Sequence, residues 1–327
     1  MTVETPLSPV LFLCAWMGKR ISPLMYFALV LGLLLSSCQP QGREKTPDKP
    51  EVVSTSTIIA DLTQRVAGDE IALKGILKPG ADPHIYEPVP ADSAALEKAD
   101  LILYNGYNLE PGLIRLMNAA GIKAKKVAVG EVVPPLDLKH QGKTIPDPHV
   151  WGDAQNGIKM VNKIRDELIE LSPQDRQKFT DNAAKLTSEL QRLDGWLKGQ
   201  IQTIPPNQRN LVTTHDAFQY YAHAYGLKVT GTLIGISTEE QPSAQTVKNL
   251  ADSIKKAKVP TIFAETTINP VLIQAVAEEA GVKLAAQKLY SDSIGASGSE
   301  GDSYSKMLVS NTKSIVENLG GKYQDYN

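Results

Sequence analysis

One stretch near the middle of the chain constrains its fold more than any other: there is no proline between Pro173 and Pro205, and the residues between are rich in Gln, Lys, Leu and Asp. Residues 173–204 therefore read as one helix, about 45 Å long at 1.5 Å per residue. On both sides of it, short β-branched runs alternate with amphipathic stretches. Before it, residues 52–56, 71–77, 101–104 and 126–129 read as strands, and 58–66, 91–98, 111–120 and 154–170 as helices. After Pro205-Pro206 the alternation resumes, with strands at 211–214, 229–234, 261–264 and 282–289 and helices at 217–225, 243–256, 270–280 and 303–319. Such alternation argues for mostly parallel sheets flanked by helices. A helix this long suits a strut between two domains better than a crossover within one sheet. The expected fold is α/β in two lobes, 51–172 and 205–327, joined by one long rigid helix, 173–204.

The first forty residues follow different rules. Lys19 and Arg20 precede an apolar run from Ile21 to Leu35, shorter than the roughly 20 residues a membrane span requires. A basic flank and a short apolar core read as a secretory signal. The run ends in Leu35-Ser36-Ser37-Cys38, which resembles the bacterial lipobox, whose cysteine becomes the lipidated first residue of the mature chain. A plain signal peptide or an N-terminal membrane anchor is the alternative. On the lipobox reading, 1–37 is a signal peptide and 38–50, polar and Pro-rich, a lipidated tether. The only other cysteine, Cys14, leaves with the leader. The mature domain then has neither a disulfide framework nor a thiolate metal site. The formal charge of −2 becomes −3 once the leader, with Lys19, Arg20 and Glu4, is removed. No basic block remains, so no nucleic-acid partner is expected.

Chemistry enters with the five histidines, His84, His140, His149, His215 and His223. Two occupy the same tripeptide, Asp82-Pro83-His84 and Asp147-Pro148-His149, each with an aromatic residue two positions on, Tyr86 and Trp151. Proline fixes its own φ and extends the residue before it, so each imidazole is offered from a stiff loop. The neighbouring aspartate is placed to orient a ligating ring. Surface-loop or catalytic histidines are the competing reading. His215 follows the expected strand 211–214, and Asp292 follows 282–289. Ligands in open α/β sheets sit beyond the carboxyl ends of strands. His140 lies in a polar loop and reads as solvated, and His223 reads as a helix-face residue.

In order along the chain stand the lipobox, Gly80-Ala81-Asp82-Pro83-His84, Asn105-Gly106-Tyr107-Asn108-Leu109-Glu110, Asp147-Pro148-His149-Val150-Trp151, Thr213-Thr214-His215-Asp216-Ala217-Phe218, Tyr290-Ser291-Asp292-Ser293 and Glu300-Gly301-Asp302-Ser303-Tyr304. As a set they resemble the manganese/zinc substrate-binding proteins of bacterial ABC transporters. The resemblance implies a metal site in the cleft between two α/β lobes, with His84, His149, His215 and Asp292 as ligands. It also implies delivery of the ion to a permease and its ATPase, attachment to the membrane by a lipid anchor at Cys38, exposure to the periplasm or cell exterior, and a monomer.

Three imidazoles and a carboxylate suit Zn2+, while Mn2+ favours more oxygen and ranks lower in raw affinity. Many zinc-specific members of the resembled family carry a long His- and acid-rich loop; here segment 132–147 is short and holds only His140. The segments Ile268-Asn269-Pro270 and Gly301-Asp302-Ser303-Tyr304 resemble manganese-type members, so both ions stay open. Two other functions are weighed. An exported zinc-dependent hydrolase would need an open coordination position and a general base, for which Glu265 is the candidate, but no His-Glu-x-x-His or Gly-x-Ser-x-Gly motif occurs. A surface adhesin is the other, since relatives of the resembled family have been described as adhesins.

Overall fold

The first half of the chain builds a four-stranded parallel sheet from β1 (Glu51–Ser54), β2 (Ala72–Gly75), β3 (Leu101–Tyr104) and β4 (Lys125–Ala128), in the order β2-β1-β3-β4. Val52 of β1 lies opposite Leu73 of β2 and Leu101 of β3. The two central strands are apolar on both faces, as a covered parallel sheet requires. Val52, Leu101 and Leu103 point into one core, and Val53 and Ile102 into another with Leu96 and Leu113. The covering helices are α1 (Thr57–Ala67), α2 (Pro90–Lys98) and α3 (Pro111–Met117). Ser56 starts α1, its hydroxyl accepting the Ile59 N–H and satisfying one of the otherwise unpaired first-turn donors. This is a computed structural model, and it describes residues 49–119, 122–140 and 143–326. The leader, the lipobox with Cys38 and the tether up to Asp48 lie outside them.

The second half repeats the plan. β7 (Asn210–Thr213) pairs in parallel with β8 (Lys228–Thr232), and β9 (Thr261–Ile262) with β10 (Lys283–Leu284). The Phe263 N–H donates to Val212 O at 3.0 Å, joining the pairs in the order β8-β7-β9-β10. With strands numbered from each half's first, this is the order of the first sheet. The helices here are α6 (Gln219–Tyr225), α7 (Ala244–Ala257), α8 (Val271–Ala280) and α9 (Tyr304–Asn318).

Between the sheets run α4 (Ala154–Leu171) and α5 (Arg176–Gln202). The long helix is thus shorter than the sequence reading: Pro173–Asp175 is a separate 3-10 turn, and the helix ends before Ile204. Residues that precede a proline disfavour the helical region; Ile204 and Pro205 each precede one, and Pro205 is extended at ψ 135°. Its 27 residues make a rod of about 40 Å. Phe179, Ala183, Leu186, Leu190, Leu193, Leu197 and Ile201 recur every three or four positions and are buried. That stripe packs against α4, α1 and α9, so the helix is a shared wall of both halves rather than a free strut. The last helix, α9, leans on α5 and α1 as well.

His140, read as lying in a polar loop, instead ends the first strand of an antiparallel hairpin, β5 (Asp137–His140) and β6 (Lys143–Pro146). The strands read as 261–264 and 282–289 shrink to two residues each, and the chain rejoins the sheet only where the Leu289 N–H donates to Ala264 O at 2.9 Å. Among the described residues no helix is long and apolar enough to cross a membrane.

Candidate metal centre

Four loops converge where the carboxyl ends of the two sheets face each other. His84 follows β2 through Lys78-Pro79-Gly80-Ala81, with Gly80 at φ +81°, a left-handed turn that glycine enters without steric cost. His149 follows β6 and immediately precedes a 3-10 turn, Val150–Gly152. His215 lies just past β7, and Asp292 follows the Leu289 contact. The two Asp-Pro-His tripeptides fold alike: Asp82 Oδ1 accepts the His84 N–H, and Asp147 Oδ1 the His149 N–H, both at 2.9 Å. Each aspartate thus forms a local turn with its own backbone two residues on.

These four side chains, and no other group among the described residues, form a cluster able to hold a metal ion, with candidate ligand atoms within 4.8 Å of one another. His84 Nε2 and His149 Nε2 stand 3.2 Å apart, His149 Nε2 and Asp292 Oδ1 3.3 Å, and His215 Nε2 and Asp292 Oδ2 3.2 Å. A tetrahedral shell with bonds of about 2.0–2.1 Å has edges of about 3.3–3.4 Å, close to these separations. His149 and His215 are fully buried, His84 is 3% exposed and Asp292 2%. His215 Nε2 and Asp292 Oδ1 make no hydrogen bond, which leaves buried polar atoms aimed at a common centre. Native structures rarely leave such groups unsatisfied, and a cation would satisfy both. His140 is the last residue of β5, and His223 sits exposed on α6, outside the cluster.

Two imidazoles are backed by carboxylates. The Nδ1 of His149 donates to Asp147 Oδ1 at 2.7 Å. His215 Nδ1 is in ion-pair contact with Glu265 Oε2, and Glu265 Oε1 accepts the His215 N–H at 2.9 Å. Glu265 and Asp147 are fully buried. Tyr220 of α6 anchors the assembly from the other side, donating to Asp147 O at 3.0 Å while its oxygen accepts the Leu136 N–H. Asp147 is marked in the sequence as a ring-orienting residue, while Glu265 stands out there only as a possible base. Nothing local marks Tyr220, whose role depends on a contact 73 positions away.

The electrostatics follow from this backing. Burial disfavours charge on all three rings. For His84 burial dominates and the pKa falls to about 3. For His149 burial is outweighed by the hydrogen bond and charge of Asp147 together with Asp292, and the pKa rises to about 9. His215 is likewise lifted well above the ordinary value, against burial, by Glu265 and Asp292. Asp292 is held well below the usual carboxylate range, again against burial, by His215 and His149. Near neutral pH the metal-free cluster thus carries protons on two rings and a free lone pair on the third. A cavity of about 700 Å³, lined in part by Tyr104, Tyr107, Glu131 and Pro148, reaches His84; the other three cluster residues do not line it.

Fold and centre together define a class: a two-lobed α/β binding protein with a closed imidazole–carboxylate site where its sheets meet. The chain belongs to the ZnuA family, described as zinc-uptake complex component A, periplasmic, whose model matches residues 52–318. Similar proteins include the metal ABC transporter substrate-binding lipoprotein FimA of Streptococcus parasanguinis, 35% identical over 310 residues that cover 92% of this chain and 99% of FimA. The manganese ABC transporter substrate-binding lipoprotein PsaA of Streptococcus pneumoniae is 34% identical, with 93% and 99% covered. Among solved structures, the periplasmic zinc binding protein TroA from Treponema pallidum matches with a TM-score of 0.79 at 34% identity, covering 83% of this chain and 99% of TroA.

Proposed function

We propose that this protein is the substrate-binding component of an ABC importer. It captures one divalent transition-metal ion, Mn2+ or Zn2+, and hands it to the permease, whose ATPase drives uptake. His84, His149, His215 and Asp292 are the ligands. The observation that carries this reading is the convergence of four buried side chains, from four loops, whose ligand atoms lie within 4.8 Å of one another, three pairs of them at 3.2–3.3 Å. The protein acts as a monomer, outside the cytoplasmic membrane and tethered to it by lipid on Cys38. The Glu265 carboxylate is occupied by His215 on both oxygens, so the base that a hydrolase would need is already committed; this favours a carrier over an enzyme.

The chain's own groups account for capture. His84, neutral at ordinary pH, offers Nε2 beside the cavity. The ion displaces the protons of His149 and His215, whose Nδ1 atoms stay turned to Asp147 and Glu265 so that both Nε2 atoms face inward. Asp292 completes the shell and neutralises part of the charge. Ligand chemistry leans to Zn2+, while the short segment 132–147 and the closing motifs lean to Mn2+.

A ligand that binds only the folded state stabilises it by about 4 kcal/mol at a thousand times its Kd, a rise in Tm of about 7 °C for a folded unit of this size. Thermal unfolding with and without Mn2+ or Zn2+ should show that rise in the wild type and in His140→Ala. It should vanish in His84→Ala and Asp292→Ala. A wild-type Tm indifferent to both ions would remove the proposal, and competition titration of Mn2+ against Zn2+ assigns the cargo.

A further inference from the structure

Asp292 comes from the second half of the chain, and its carboxylate meets the cluster itself: Oδ1 lies 3.3 Å from His149 Nε2 and Oδ2 3.2 Å from His215 Nε2. Outside the cluster its one side-chain hydrogen bond is from the Ser291 hydroxyl, long at 3.5 Å, so its placement depends on the backbone around it. Upstream, Tyr290 is tied to its own half by Asn311, which accepts its N–H and donates to its carbonyl. On either side of Asp292, however, the bonds cross to the first half. The Trp151 indole Nε1 donates to Ser291 O at 2.9 Å. The Ile294 N–H donates to Thr57 Oγ1, and the Thr57 and Ser293 hydroxyls lie 3.1 Å apart. The Gly80 N–H donates to Ser293 Oγ at 2.8 Å. Donors and acceptors balance when Thr57 donates to Ser293 and Ser293 donates to Ile294 O, 2.9 Å away, a complete account of both hydroxyls. Thr57 is free for this because Ser56, not Thr57, caps α1. Trp151, Thr57, Ser291 and Ser293 are all at most 5% exposed, so these bonds are shielded from competing water.

We propose that Thr57 and Trp151 are positioning residues for metal capture: they fasten the backbone on both sides of Asp292 to the first half, and so set its carboxylate against His149 and His84 before the ion arrives. Trp151 acts on both partners, since its ring also packs edge-on against His149 with centroids 5.4 Å apart. Tyr304 holds the same turn from the other direction, donating to Trp151 O at 2.7 Å. The proposal rests on the reading of the four clustered residues as ligands.

The test uses Zn2+ competition titration and the visible spectrum of the Co2+ form, which reports whether a carboxylate or water fills a coordination position. Thr57→Val keeps the shape and removes the hydroxyl. It should bind Zn2+ at least about tenfold more weakly, as loss of an orienting partner of a ligand does, with an altered Co2+ spectrum. Thr57→Ser should restore both, and Trp151→Phe, which keeps a ring on His149, should weaken binding in the same direction. Wild-type affinity and spectrum in Thr57→Val would overturn the proposal. So would a Thr57→Ser variant as impaired as Thr57→Val, since packing and not the hydroxyl would then be responsible. If Thr57→Val does not fold, Ser293→Ala removes the same bond from the other side and is read the same way. A wild type that binds neither ion removes the metal-carrier reading itself, a result distinct from the failure of the Thr57 and Trp151 variants alone.

Discussion

Protons and metal compete for one centre, so pH is the sharpest perturbation of it. His149 has its pKa raised to about 9. At pH 7 about one ring in a hundred is then neutral, and an arriving ion must displace a proton at a cost of about 3 kcal/mol. His215 is raised as well, so two protons leave when the ion binds and the apparent Kd should fall about 10- to 100-fold for each pH unit gained. An ordinary imidazole, with a pKa of about 6.5, would give a curve already flat above pH 7. The metal-free fold should respond in the opposite sense. A group whose pKa is higher folded than unfolded lends stability that is full below about pH 6.5 and lost as pH rises through about 9. The metal-free protein should therefore melt lower at pH 9 than at pH 6.5, while metal binding tightens over the same interval. Chelator competition from pH 6 to 8.5 gives the slope, and calorimetry in buffers of different ionisation enthalpy counts the protons. An affinity constant from pH 7 to 8.5, with no protons released, would refute the assignment of charge to these rings.

Other consequences are simpler to read. Glu265→Gln removes the charge that lifts His215; the count of protons released at pH 7 should drop toward one and metal affinity should fall by about 10- to 100-fold, and an unchanged proton count would contradict the role given to Glu265. Leu190→Ala empties a fully buried position on α5 and should cost about 2–5 kcal/mol in denaturant unfolding; a loss well under 1 kcal/mol would mean that the helix is not the shared wall described. Cys38→Ser should move the protein from the membrane fraction to the soluble fraction and abolish lipid labelling, and membrane retention without label would point to an uncleaved anchor.

The sequence disclosed the architecture wherever local patterning decides it. Strand–helix alternation and the long proline-free stretch are local signals, and two parallel sheets with a long helix between them are what the chain forms. The four clustered residues were legible for two different reasons. His84 and His149 stand out through their shared tripeptide, whereas His215 and Asp292 stand out because each follows a strand. What local pattern cannot carry is the partner of a side chain. Asp82 and Asp147 occupy identical tripeptides, yet only Asp147 hydrogen-bonds its neighbour's ring as well as its backbone. Thr57 and Ser293 are 236 positions apart, and nothing around either residue advertises the other. The β5–β6 hairpin was hidden because its five charged or polar residues, Asp137, Lys139, His140, Lys143 and Thr144, and a strand-breaking Pro146 leave only Leu138 and Ile145 to mark a strand.

Burial of the centre raises the question of how such a site can ever stand empty. Asp147, Glu265 and Asp292 are at most 2% exposed, and a buried carboxylate without a partner is strongly destabilising. Against three carboxylates, a divalent ion with three neutral imidazoles leaves one net negative charge. Two protons, one on His149 and one on His215, leave the same balance. The protons therefore reproduce the electrostatic effect of the cargo, and the site can exchange one for the other without unpaired buried charge. This assigns the carboxylates behind His149 and His215 a second task besides fixing ring orientation. They make the protonated, metal-free centre nearly as well compensated as the loaded one, so a carrier can be both tightly closed around its ion and stable without it.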